Sequence, residues 1–149
     1  MENGILGEDE VSRHSLACAA RPNIVDGNVP GVFTFFLSES ALRSAASSPH
    51  VMLDQLHYLQ KVDKLHHIKV RVVRGDASAN VVPPFSVYES ARTGVTTIVH
   101  QNLHGVVYDA ETQNARRYLA TTEAIRAKAA SDSDSMLMIA AAIDQLPLR

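Results

Sequence analysis

Two histidines in the second half of the chain have the side chains best suited to acid–base chemistry. His100 lies on a predicted short strand and His104 in the predicted turn that follows it, and imidazole exchanges protons close to neutral pH. Glu39 follows a predicted buried strand and opens a short helix, so it could arrive from a neighbouring strand end. A His–Glu pair on a concave sheet would supply a general base and the group that orients it.

Each of these residues also has a structural interpretation, and the sequence leaves both open. The histidines could be turn or rim residues whose ring nitrogens are satisfied by water or backbone. Glu39 could instead accept backbone N–H groups at a helix start and favour the helix dipole. Arg43, four residues later, would then be its ion-pair partner.

Residues that could contact a ligand are few in type. Tryptophan is absent and aromatic residues are scarce, so a flat ligand would have to lie against phenylalanines and tyrosines. Tyr88 and Tyr108 are also candidate proton donors for an enzyme. The candidate ligand-binding residues are Phe35, Gln55, Arg71, Phe85, Tyr88 and Tyr108.

The sequence does not indicate a metal or an organic cofactor. His66 and His67 are adjacent, and adjacent residues on a strand point to opposite faces. No cluster of Cys, Asp or Glu has the spacing of a zinc or calcium site. Cys18 is the only cysteine, which excludes an internal disulfide. Phosphate-loop and dinucleotide fingerprints are both missing.

Composition predicts a single cytoplasmic domain. A chain of 149 residues with 46% hydrophobic residues can bury a real core. The formal net charge of -2 argues against a surface that binds nucleic-acid phosphates. No apolar run is long enough to span a bilayer, and the acidic start of the chain is unlike a signal peptide.

Hydrophobic periodicity predicts an α+β fold, with a curved antiparallel sheet of about five strands covered mainly on one face by helices. Strands are predicted over 32–37, 68–73, 85–89, 95–101 and 106–109. Helices are predicted over 39–43, 49–64 and 111–130, and a second C-terminal helix starts at 131.

Several details of these elements are specific enough to check. Ser48 and Ser131 are predicted N-caps, and Asp134 is predicted to reach back to Ser131 in a capping box. The first strand, apolar throughout, is predicted to be buried on both faces. The last helix is predicted to bury Met136, Leu137, Ile139, Ala140 and Ile143.

The segment FFLSESALRSAASSPHVMLDQLHYLQKVDKLHHIKVRVV resembles the effector domain of the Scr-type, antitoxin-like helix-turn-helix regulators of actinobacteria. The resemblance extends over about residues 9–144. Three positions depart from the family pattern: Arg74 replaces a proline, His100 an acidic residue and His104 a glycine. The residues that carry the resemblance in this segment are Leu37, Glu39, Ala41, Leu42, Arg43, Val51, Met52, Gln55, Leu56, Leu59, Val70 and Val72.

The resemblance implies a stand-alone, effector-like, ligand-binding domain over residues 1–149 without the DNA-binding half. Such a module would bind a small metabolite or a partner regulator protein, and would not contact nucleic acid directly. The alternative is a small cofactor-free enzyme of the cyclase, isomerase or lyase type, which uses His100, His104 and Glu39 in the former sensor pocket. A homodimer formed through a sheet edge or through the apolar run Met136–Ile139 is a third possibility.

Overall fold

A computed structural model describes residues 27, 30–43, 48–75, 84–102, 105–110 and 113–147. The described strands are β1 (Phe33–Ser38), β2 (Ile68–Val73), β3 (Phe85–Glu89), β4 (Thr96–Asn102) and β5 (Gly105–Ala110). The described helices are a 3-10 helix (Glu39–Arg43), α1 (Pro49–Val62), α2 (Gln113–Lys128) and α3 (Asp132–Asp144).

The first two strands form a parallel pair. Their register runs from Phe33 opposite Ile68 to Ser38 opposite Val73. Parallel strands need a crossover connection, usually helical, and here the 3-10 helix and α1 lie between the two strands in sequence. The order strand–helix–strand therefore dictates the parallel pairing.

Both predicted serine caps are confirmed. The Ser48 hydroxyl accepts a hydrogen bond from the Val51 N–H at 3.4 Å, and Pro49 takes the first helical position. The Ser131 hydroxyl accepts from the Asp134 N–H at 3.1 Å at the start of α3. The carboxylate of Asp134 accepts a hydrogen bond from Arg74 at 3.1 Å, whereas the sequence predicted that it would turn back toward Ser131.

The main core lies between one face of β2 and helices α1 and α3. Residues of β2 alternate between fully buried and half-buried, as the sequence predicted. Met52 and Leu59 of α1 also pack against the buried cluster. The buried cluster consists of Leu42, Leu56, Val62, Ile68, Val70, Val72, Ile139 and Ala142.

The outer edge of β2, away from β1, is closed by partners other than a strand. The Ile68 N–H donates to the Leu65 carbonyl, and the Val70 N–H donates to the Asp63 carboxylate at 2.8 Å. The Val72 N–H donates to the Ser135 hydroxyl at 3.0 Å, while the Val72 carbonyl accepts from the Ala130 N–H at 2.8 Å. No further strand can pair at these positions.

A second sheet contains β3, β4 and β5 in an antiparallel meander. Helix α2 contacts both β4 and β5 and also touches β2, so it lies between the two sheets. Ile98 of β4 and Ala115 of α2 are buried. Tyr118, Leu119, Thr122 and Ile125, on the same side of α2 as Ala115, are half-buried.

The predicted single antiparallel sheet is wrong, although the α+β class is confirmed. The described strands form a parallel two-stranded sheet and an antiparallel three-stranded sheet, because the edge of β2 that would have received β3 is closed. The prediction that β1 is buried on both faces is also wrong, since Thr34 and Phe35 are exposed. Leu137, predicted to be buried in α3, is 68% exposed.

We expect Ser135→Ala to lower the free energy of unfolding by about 1–2 kcal/mol. Ser135 is 0% exposed, so its loss leaves the Val72 N–H buried without a partner, which costs about 1–3 kcal/mol and is offset in part by the better helix propensity of alanine. Urea unfolding followed by circular dichroism measures the change. Ser86→Ala, at an exposed position of β3, is the matched control and should change stability by less than about 0.5 kcal/mol.

Candidate functional site

A cleft of about 90 Å³ lies between the 3-10 helix and α3. Its floor is apolar, because Leu42 and Ala142 are buried residues of the main core. Polar groups stand around it, and Glu39 is the one predicted site residue among its lining residues. The lining residues are Glu39, Leu42, Arg43, Met138, Ala141, Ala142 and Gln145.

The charged rim of this cleft is an ion pair. Arg43 Nη2 donates to Glu39 Oε1 at 2.9 Å, as the spacing of four residues predicted. The Arg43 side chain is 65% exposed and the Glu39 side chain 29% exposed. The guanidinium therefore faces solvent and can take a second acceptor, whereas the carboxylate is partly enclosed.

His100 lies in the other sheet, on β4. It is half-buried, and its ring stacks on that of Tyr118 of α2 with centroids 5.1 Å apart and an interplanar angle of 22°. Phe85, opposite His100 in the β3–β4 register, also contacts Tyr118, at 5.0 Å between centroids. Three side chains from two strands and one helix thus form an aromatic cluster, which we call the His100 cluster.

The structure separates the remaining candidates of the second sheet. Phe85 belongs to the His100 cluster, whereas Tyr88, an odd number of residues away on the same strand, lies on the opposite face and is 46% exposed. Tyr108 of β5 pairs with Val99 of β4. His104 lies outside the described residues, so its placement next to His100 stays a prediction.

Phe35, Gln55 and Arg71 belong to the first sheet and the helix above it. Phe35 lies opposite Val70 in the register, on the core side of β1, and Gln55 is exposed on α1. Arg71 lies on the other side of β2. The six candidate ligand-binding residues are therefore divided between two sheets and between opposite faces of each.

Arg71 holds the junction between α2 and α3. Its Nε and Nη2 donate to the Ala130 carbonyl at 2.9 and 2.7 Å, and Nη2 also donates to the Ala129 carbonyl at 3.3 Å. A cation that binds the last carbonyls of a helix satisfies groups with no partner inside the helix. Arg71 therefore has a structural role, since its guanidinium group binds backbone carbonyls.

A strip of paired charges continues from Arg71 along β2. Lys69 Nζ and Arg71 Nε lie 3.6 and 3.7 Å from the two carboxylate oxygens of Asp132, and Arg74 bonds to Asp134. Both acids are in the first turn of α3, where a negative charge also favours the helix dipole. These pairs could not be predicted from the sequence, because nothing in the spacing of β2 and α3 indicates that they meet.

The described residues contain no group of three His, Cys, Asp or Glu side chains that could hold a metal ion. In the same part of the chain, no helix combines the length and the apolar character needed to cross a membrane.

We expect Arg71→Lys to lower the free energy of unfolding by about 1–2 kcal/mol, because a lysine ammonium keeps the charge but cannot reproduce the fork to two carbonyls. Arg74→Lys is the matched control, since its exposed ion pair should contribute less than about 1 kcal/mol. Urea unfolding of both variants measures the difference. Equal stabilities for the two variants would show that Arg71 does not hold the helix junction.

Comparison with known proteins identifies the family of this chain. The family described as "Domain of unknown function (DUF5753)" matches residues 2–141. No curated protein and no solved structure matches the chain. The family match covers nearly the whole sequence, from the region before β1 to the last turns of α3. The chain therefore belongs to the DUF5753 family.

Proposed function

We propose that this chain is a regulatory binding module, related to the effector domains of Scr-type regulators, that recognises its ligand through the cleft between the 3-10 helix and α3. The observation that carries the proposal is the combination of an apolar floor with an exposed guanidinium at the rim. Leu42 and Ala142 form the floor, Met138 and Ala141 add to the wall, and Arg43 stands above them.

The size of the cleft limits what it can bind. Its volume of about 90 Å³ is smaller than the engineered cavity of about 150 Å³ that admits benzene. Pockets for larger metabolites occupy about 300–1,000 Å³. We infer that the ligand inserts one branched aliphatic group and presents a carboxylate to Arg43. A branched aliphatic side chain next to an acidic residue on a partner regulator fits this description. A small branched-chain carboxylic acid fits it as well.

The geometry favours binding over the acid–base enzyme. A general base and its orienting group must come within hydrogen-bond reach, directly or through one water. Glu39 is engaged by Arg43 beside the first sheet, whereas His100 is stacked on Tyr118 beside the second. The proposed His–Glu pair would need its members to leave these partners.

The distribution of charge supports a module that does not contact DNA directly. Lys69, Arg71 and Arg74, the basic residues in and next to β2, each lie within 3.7 Å of a carboxylate of α3. We expect the purified chain to give no sequence-specific, salt-sensitive shift of promoter DNA in a gel-shift assay. A tight shift that weakens steeply with salt would remove the proposal.

The ligand chemistry can be tested with 4-methylpentanoate, which joins a branched aliphatic group to a carboxylate. We expect it to shift the methyl NMR signals of Met138, Ala141 and Ala142 and to saturate at millimolar concentration. Arg43→Gln should weaken this binding severalfold. Glu39→Gln should strengthen it, because it removes a repelling carboxylate and releases Arg43 from its ion pair.

Two controls test whether these opposite changes in affinity for 4-methylpentanoate arise at the cleft. Arg92→Gln removes an exposed arginine from the turn before β4 and should leave the affinity unchanged. The neutral analogue 4-methylpentanamide should bind the original chain more weakly than the acid, and should lose the dependence on Arg43. If Arg43→Gln and Glu39→Gln changed the affinity in the same direction, the cleft would not be a carboxylate site.

A further inference from the structure

Strand β1 has one edge paired with β2 and one edge directed away from β2. The Phe33 N–H donates to the His67 carbonyl at 2.8 Å, on the β2 side. Because backbone groups alternate along a strand, the N–H and C=O groups of Thr34 and Phe36 are directed away from β2. Within the described part of the chain, no strand pairs with this edge. An unpaired edge of this kind is a template for another strand.

The outer edge of β1 lacks the features that normally prevent pairing. Its sequence, FTFFLS, contains no charged residue and no proline, and its register with β2 is unbroken by a bulge. Exposed apolar groups accompany it, since Phe35 is 38% and Val32 79% exposed. The outer edge of β2 is closed by Asp63 and Ser135, so β1 is where the first sheet can grow.

We propose that β1 pairs antiparallel with β1 of a second copy of this chain, around a two-fold axis at Phe35. Self-pairing requires a strand that does not repel itself, and β1 is neutral along its whole length. In this register Thr34 lies opposite Phe36 of the second copy, and the reverse pair is equivalent. Each of these pairs exchanges two hydrogen bonds, and the two Phe35 rings meet at the closely spaced position between them.

The resulting sheet has four strands in the order β2–β1–β1–β2, and the helices of both copies lie on the same face of it. An axis perpendicular to the sheet keeps the core side of both copies on the same side, so α1 and α3 of each copy cover one continuous face. Two strands alone make a marginal sheet, and added strands stabilise it. The interface does not involve the cleft residues of the proposed function, so the two proposals can fail separately.

Sedimentation equilibrium of the full chain over a wide range of micromolar concentrations tests the proposal. We expect the mass to rise from 16.2 kDa toward twice that value. Thr34→Pro removes an outward N–H without touching the β1–β2 bonds, a change that an edge strand tolerates. It should leave a folded monomer by circular dichroism. Thr34→Val, which keeps the N–H, should still dimerise.

Substitutions that place a charge at the two-fold axis give the most specific test. Phe35→Lys and Phe35→Glu should each weaken self-association about a hundredfold or more, because like charges would meet across the axis. An equimolar mixture of the two variants should form a heterodimer. Leu137→Lys changes the exposed apolar residue of α3 and should not affect dimerisation.

Three outcomes would overturn the proposal. The first is an original chain that stays monomeric at every concentration. The second is a dimer that survives both Thr34→Pro and Phe35→Lys, which would place the interface elsewhere. The third is a failure of the Phe35→Lys and Phe35→Glu variants to associate when mixed while both remain folded.

Discussion

The outer edge of β2 is the constraint on which the rest of the structure depends. A buried strand edge must find partners for its N–H groups, because each unsatisfied group costs free energy comparable to a lost hydrogen bond. Here the partners are three groups: the Leu65 carbonyl and the Asp63 carboxylate after α1, and the Ser135 hydroxyl of α3. These bonds attach the end of α1 and the start of α3 to the strand. They also keep β3 out of the first sheet, so the meander forms a sheet of its own beside α2.

Local features of this fold follow from sequence because their physics is local. The Ser48–Pro49 helix start depends on residues a few positions apart, and so does the Glu39–Arg43 ion pair. The alternation of β2 follows from burial of one face. The exposure of Leu137 could not be predicted in the same way. An apolar side chain shows that a residue can be buried, but not whether neighbouring elements are present to bury it.

The pairing of the strands could not be predicted from residues that are close in sequence. The order β1–α1–β2 is itself a signal for parallel pairing, whereas the short connections between the later strands favour antiparallel pairing, and the two kinds of pairing occur in separate sheets. In contrast, Asp63 and Ser135 carry no signal that they bond to a strand, because polar residues at helix ends usually cap their own helix. The cleft could not be predicted either, because its lining residues come from distant parts of the sequence. Glu39 supplies one wall, but Met138 and Ala142 supply the other, and only the packing of α3 brings them together.

The cleft and the outer edge of β1 are connected by the chain itself. Ser38 ends β1 and Glu39 begins the 3-10 helix without an intervening residue, and the Ser38 hydroxyl accepts the Ala41 N–H at 3.3 Å. If the proposed ligand held the 3-10 helix against α3, it would act on the element that directly follows the strand that we propose to pair. Coupling between two binding events is reciprocal, so pairing of β1 would have to change the affinity of the cleft by the factor by which the ligand changes pairing. Under the two proposals together, binding in the cleft and pairing of β1 would therefore be linked through the step from Ser38 to Glu39.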